Sequence, residues 1–146
     1  MIFKKYLFSI WKDSADRLMS NIYSVLECDP NAIFLDCGCD DGDITMEIAK
    51  RINAQKTYGM DIIKERYIKA EEKGVMVKSS NLNEAFPFEN EFFDVVHANQ
   101  TIEHLWNLDN FIQETYRILK PGGYAVISTE NLASWHNIFS LLLGFQ

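Results

Sequence analysis

Short apolar runs that end on polar residues alternate with helical patterns along most of this chain, and that alternation admits few architectures. The first run, Ala32-Ile33-Phe34-Leu35, closes on Asp36 and is followed by Gly38 and Gly42, then by Ile44, Ile48, Ala49 and Ile52 at helical spacing. Thr57 to Met60 reads as a second strand closing on Asp61. Lys64 to Lys73 reads as a polar-faced helix ended by Gly74, and Val75 to Val77 as a short third strand. A loop holding Pro87 leads to a fourth strand, Asp94 to Ala98. Leu108 to Leu119 is helical, with Phe111, Ile112, Tyr116 and Leu119 on one face. Pro121-Gly122-Gly123 stops it, and Tyr124 to Ser128 is the fifth strand. Strands that alternate with helices imply a parallel sheet with right-handed crossovers, a doubly wound α/β domain with helices on both faces.

The alternation is flanked by two helical segments. Before it, Leu7, Ile10, Trp11, Leu18, Ile22, Val25 and Leu26 recur at helical spacing until Asp29-Pro30-Asn31 breaks the pattern. After it, Leu132, Trp135, Ile138, Phe139 and Leu142 do the same up to Gln146. The expected division is therefore a helical segment over 1–30 that caps the substrate side, a core over 31–130 and a helix over 131–146. An apolar helix with nothing after it to cover it suggests a continuation missing from this chain.

Length and composition narrow the classes of function. One hundred and forty-six residues, 47% apolar and 13% aromatic, suit one domain with one core. A formal net charge of −7 disfavours nonspecific binding to phosphate backbones, so no nucleic-acid partner is expected. Cys28, Cys37 and Cys39 are an odd number with no secretory signal, which reads as free thiols in a reducing compartment, the cytoplasm by default. Nothing near Cys37 and Cys39 supplies the four ligands that tetrahedral zinc needs, and no metal is expected. The N-terminal apolar residues are too interrupted by Lys4, Lys5 and Lys12 to span a bilayer.

Ligands of open parallel sheets bind beyond the carboxyl ends of the strands, and four of these ends carry polar residues. They are Asp36 with Gly38, Asp40, Asp41 and Gly42; Asp61; Ser79-Ser80-Asn81; and Asn99-Gln100. Asp61 lies about twenty residues past the glycine loop, where an acidic group meets a ribose in dinucleotide folds. Its two oxygens can accept from both ribose hydroxyls. The loop itself carries Asp36, Asp40, Asp41 and Asp43, and no lysine or arginine until Lys50. Carboxylates this close to a pyrophosphate oppose it, whereas a ligand with an ammonium and a sulfonium suits them. The spacing Gly-x-x-x-Gly also departs from the dinucleotide pattern. Asp41 or Asp43 can instead serve to cap the following helix.

These residues resemble the motifs of a known family. Phe34-Leu35-Asp36-Cys37-Gly38-Cys39-Asp40-Asp41-Gly42 is similar to the first motif of class I S-adenosylmethionine-dependent methyltransferases (type 11-like). Tyr58-Gly59-Met60-Asp61-Ile62 is similar to the second. Asn81 to Phe88 with Phe93-Asp94-Val95-Val96, Ile102-Glu103-His104-Leu105, and Arg117 to Gly123 complete the series from about Ile33 to Thr129. The resemblance implies a Rossmann-like sheet, whose final strands are absent if the chain is truncated, and S-adenosylmethionine as cofactor. It implies that Gly38 brings backbone close to the methionine part, with Asp36 supporting the ammonium, and that Cys39, Asp40 and Gly42 belong to the same cofactor-binding loop. Asp61 would bind the ribose, Ile62 pack on the adenine, Asn81 and Leu82 meet the adenine edge, and Asn99 lie beside the methionine carboxylate or the methyl. Two residues depart from the pattern: Asp40 stands at the middle glycine, and Asn81 at the usual aspartate.

The chemistry implied is displacement at a methyl carbon already activated by its sulfonium, so the protein positions an acceptor and removes its proton. Candidate bases are His97, Glu103, His104 and His136. His97 lies inside a strand and reads as a core histidine, which leaves Glu103 and His104 as the catalytic pair. Ubiquinone-pathway O-methyltransferases and small-RNA 2′-O-methyltransferases carry a related E-x-x-E-H arrangement that can hold a divalent metal. Gln100 at the first glutamate removes an anionic ligand here. The function expected is methyl transfer to a small-molecule acceptor; the alternative is a catalytically inactive binding or regulatory module. A nicotinamide-dependent dehydrogenase is disfavoured by the loop's spacing and charge.

Overall fold

The computed structural model describes residues 2–129, with side chains from residue 13 onward. Five strands form one parallel sheet in the order β3-β2-β1-β4-β5. They are β1 (Ile33–Cys37), β2 (Lys56–Asp61), β3 (Met76–Ser79), β4 (Phe93–Asn99) and β5 (Leu119–Ser128). Helices α1 (Ile2–Ser24), α2 (Asp43–Ile52), α3 (Lys64–Glu72) and α4 (Leu108–Ile118) flank it. The chain moves outward from β1 to β3, then returns to the other side of β1 with β4. The reversal makes the gap between β1 and β4 the switch point of the sheet.

Alternation along each strand builds two cores. Phe34 and Val95 face Ile48, Ala49 and Ile52 of α2 and Ile22 of α1. Leu35, Cys37, Met60 and Val96 face the opposite way, against Phe86, Phe111 and Ile118. Each fully buried side chain of this size contributes on the order of 2 kcal/mol, so the central strands hold the site rigidly. Helix α2 begins at Gly42 and ends at Asn53, whose left-handed backbone (φ 61°) lets its amide donate to the Ala49 and Lys50 carbonyls.

The strands and helices expected as far as Ser128 are all present, with shifted ends. β5 begins at Leu119 rather than Tyr124, because Phe93 pairs with Leu119 and the register then shifts through Pro121-Gly122-Gly123 before Val95 meets Tyr124. One helix face differs from expectation. The buried stripe of α4 is Phe111, Thr115 and Ile118, whereas Ile112 and Tyr116 are exposed, Tyr116 by 83%. Ile112 and Tyr116 continue from Leu108 at a spacing of four, a stripe about 100° around the helix from Phe111. The expected C-terminal helix over 131–146, the candidate base His136, and the side chains of Leu7, Ile10 and Trp11 lie outside the described residues.

Candidate functional site

The carboxyl ends of β1, β2 and β4 surround a cleft of about 620 Å³, a volume that suits a nucleoside-sized ligand. Of the cofactor residues expected from sequence, Asp36, Gly38, Cys39, Asp40, Asp61, Ile62, Asn81, Leu82 and Asn99 line it. Gly42 stands behind the wall, where it packs on Ala70 of α3. Four lining residues carried no distinguishing signal in the sequence: Ile44, Ile63, Arg66 and Thr101. Ile44 sits in the apolar repeat of α2 yet is 40% exposed, because the buried stripe of that helix runs through Thr45 instead.

The glycine loop is latched to the end of β2. The amides of Gly38 and Cys39 both donate to the Met60 carbonyl, at 2.8 and 3.1 Å. The Asp40 amide donates to Asp61 Oδ2 at 3.0 Å, and the Ile63 amide to Asp61 Oδ1 at 2.8 Å. Asp61 is thereby held in one orientation, and each oxygen keeps a lone pair for a hydroxyl. The Gly42 amide donates to the Cys39 carbonyl and the Asp43 amide to Asp41 Oδ1. These inward-turned amides are the donors that a phosphate-binding loop presents to its ligand. A Cβ on Gly38 would stand 2.8 Å from Thr101 Oγ1, and the Thr101 hydroxyl spans the Cys37 and Asn99 carbonyls at 3.1 and 3.0 Å. Thr101 therefore fixes how closely β4 approaches the loop.

The charge around the loop differs from its linear pattern. Arg66 Nη1 of α3 reaches Asp40 Oδ2 at 3.3 Å, and Lys73 Nζ reaches Asp43 Oδ1 at 2.6 Å and the Asp41 carbonyl at 2.7 Å. The Asp41 carboxyl is held below its ordinary value, first by the Asp43 amide and further by Lys73. Cations remote in sequence thus balance part of the acidic loop, while Asp36 and Asp61 stay clear of them. Asp40, with φ 45°, occupies the left-handed conformation that the glycine of the family pattern would take.

Three side chains are engaged differently from expectation. Asp36 is buried, with Oδ1 2.7 Å from His97 Nδ1 and Oδ2 accepting from Thr45 Oγ1 at 2.5 Å. The Asn81 amide oxygen accepts from the Asn83 amide and from Asn83 Nδ2, and its nitrogen donates to Glu84, so this side chain shapes the turn. Asn99 Oδ1 accepts from Ser128 Oγ at 2.6 Å, which leaves its amide nitrogen as the group with capacity toward the cleft. His104 lines the rim of the cleft, whereas Glu103 does not and accepts from Thr129 Oγ1 at 3.2 Å. Burial raises the Cys39 thiol to about 12, with the Asp36 charge adding to the shift, and pushes the Cys37 thiol up for the same reasons. Neither is poised as a nucleophile. Among the described residues no group of histidine, cysteine and carboxylate side chains is placed to hold a metal. No helix among them is long and apolar enough to cross a membrane.

The sequence that builds this cleft matches one family model over most of its length. The model described as "Methyltransferase domain" matches residues 35–127, from the first strand to the fifth. The chain belongs to this methyltransferase domain family. A probable S-adenosylmethionine-dependent methyltransferase of Mycolicibacterium smegmatis is 33% identical over 102 residues, covering 66% of this chain and 37% of the relative. The mitochondrial ubiquinone biosynthesis O-methyltransferase of Rattus norvegicus is 31% identical over 121 residues, covering 77% of this chain and 34% of the relative. A crystal structure of an S-adenosylmethionine-dependent methyltransferase from Mesorhizobium loti shares the fold. It superposes with a TM-score of 0.70 at 18% identity, over 77% of this chain and 53% of that one. The chain thus spans about a third of the length of these two curated relatives. The Mycolicibacterium relative and the Mesorhizobium protein are both described as S-adenosylmethionine-dependent.

Proposed function

We propose that this protein transfers a methyl group from S-adenosylmethionine to a small-molecule acceptor. The observation that carries the reading is the first loop: its amides are turned inward and the Asp61 carboxylate is fixed at its edge. Such a loop suits a ligand with ribose hydroxyls and positive charge and offers little to a pyrophosphate. The cofactor would be held by Asp36, Gly38, Cys39, Asp40, Asp61, Ile62, Asn81, Leu82 and Asn99, with Gly42 shaping the turn. Asp61 takes the ribose, and the Ile62 side chain, 65% exposed, is available to cover the adenine. Asp36 places negative charge near the ammonium. When bound, S-adenosylmethionine supplies a methyl carbon activated by its sulfonium. His104 at the rim accepts the acceptor's proton, and Glu103 tethers that turn to Thr129.

The ubiquinone biosynthesis relative supports an oxygen atom on a small molecule as the methylated group. The net charge of −7 and the buried thiols fit a cytoplasmic enzyme that does not act on nucleic acid. Segments 1–30 and 131–146 are read as the parts that flank the cofactor domain and shape the acceptor side.

Calorimetric titration with S-adenosylmethionine, S-adenosylhomocysteine and NAD tests the reading. The first two bind, NAD does not, and Asp61→Ala weakens binding by about tenfold or more, about 1.4 kcal/mol. Binding of NAD alone, or undiminished affinity in Asp61→Ala, refutes it. Cofactor binding with no transfer of radiolabelled methyl to a panel of phenols, amines and carboxylic acids favours a binding module instead.

A further inference from the structure

The run Val95 to Ala98 of β4 is apolar except at His97, which is 1% exposed. Its register neighbours are Asp36 on β1 and Val126 on β5. A carboxylate only accepts, so the Nδ1 atom that lies 2.7 Å from Asp36 Oδ1 carries the hydrogen. The other ring nitrogen, Nε2, is buried with no hydrogen-bond partner among the described residues. Valine, as at Val95, Val96 and Val126, would fill such a position without an orphaned nitrogen. Among the described residues the polar group that the imidazole serves is Asp36.

Asp36 faces two ways. Its oxygens take hydrogen bonds from His97 and Thr45 in the interior, and Asp36 and His97 both belong to the wall of the cleft. A carboxylate at this depth stays charged only when donors compensate for the water it has lost. Thr45 supplies one such donor and His97 the other.

We propose that His97 is a positioning residue for the amino-acid end of the cofactor. By donating to Asp36 Oδ1 it fixes the Asp36 carboxylate in the cleft wall, where it attracts the ligand's ammonium. The proposal rests on the cofactor reading above, and its test separates the two. Wild type, His97→Leu and His97→Asn are titrated with S-adenosylhomocysteine and with methylthioadenosine, which keeps the adenosine and thioether but lacks the ammonium and carboxylate. An asparagine amide nitrogen sits close to where imidazole Nδ1 does, so His97→Asn preserves the donor to Asp36 and deletes Nε2.

His97→Leu loses about tenfold in affinity for S-adenosylhomocysteine and less than about twofold for methylthioadenosine, and His97→Asn recovers most of the loss. Asp36→Asn, which keeps the shape and removes the charge, shows the same ligand-selective loss, so the result does not depend on one variant folding. Equal losses for both ligands, no loss, or no recovery in a folded His97→Asn overturns the proposal while the cofactor reading stands. Failure of wild type to bind either ligand overturns the cofactor reading and this proposal with it.

Discussion

At Gly42 the chain turns into α2 with φ 83°, and a Cβ there would lie 2.8 Å from both Cα and Cβ of Ala70. Gly74 has a similar φ of 96° but nothing within 4 Å of its virtual Cβ. Gly74→Ala therefore costs only backbone strain, about 1 kcal/mol, whereas Gly42→Ala adds a collision with backbone and costs about 3 kcal/mol. Urea unfolding of the two variants checks the difference. Single residues were legible in the sequence where their role lies within a few positions of the chain. Asp61 is one, because its oxygens are fixed by the next residues and the adjoining loop. His97 was readable as a core residue but its partner was not, since Asp36 meets it only through strand register. Asn81 was expected to meet the adenine edge, and the turn it belongs to engages its amide oxygen instead.

One side chain of α4, Arg117, ties that helix to several points of the segment before β4. Arg117 donates to the Phe86 and Phe88 carbonyls, to Asn90 Oδ1 and to both oxygens of Glu114, which in turn accepts from the Phe86 amide. Arg117→Lys cannot reproduce this fork, and it destabilises the protein by about 2 kcal/mol, nearly as much as Arg117→Ala. The Glu114 carboxyl is held below its ordinary value of 4.5, first by Arg117. A depressed carboxyl stabilises the fold above its unfolded value and loses that contribution as pH falls through the folded one. The stability gap between wild type and Glu114→Gln is therefore constant above about pH 6 and shrinks on acidification below about 4.5, which unfolding curves across pH measure. At this scale the alternation of strands and helices was legible because the apolar runs are short and punctuated. The face of α4 was not, because Phe111 and Ile112 are adjacent apolar residues and only the sheet decides which one it buries.

Across the whole molecule, burial sorts the three thiols. Cys28 is exposed, while Cys37 and Cys39 lie inside with their thiols pushed upward, Cys39 to about 12. A colorimetric thiol reagent at neutral pH therefore titrates one cysteine rapidly in the native protein and all three in denaturant. The order of the motifs along the chain revealed the family, but the balance of charge at the loop emerged only on folding. Arg66 and Lys73 lie 26 and 32 residues from the loop groups they meet, Asp40 and the Asp41 carbonyl. The inward-turned amides of that loop bear on competition between ligands. Many abundant metabolites, ATP among them, carry the same adenosine half that the cleft is proposed to grip. A cleft that read adenosine alone would fill with whichever of them was most concentrated. By spending its backbone donors on Met60 and Asp61, the loop denies a triphosphate its usual anchorage, and the rarer, positively charged ligand can gain entry against that excess.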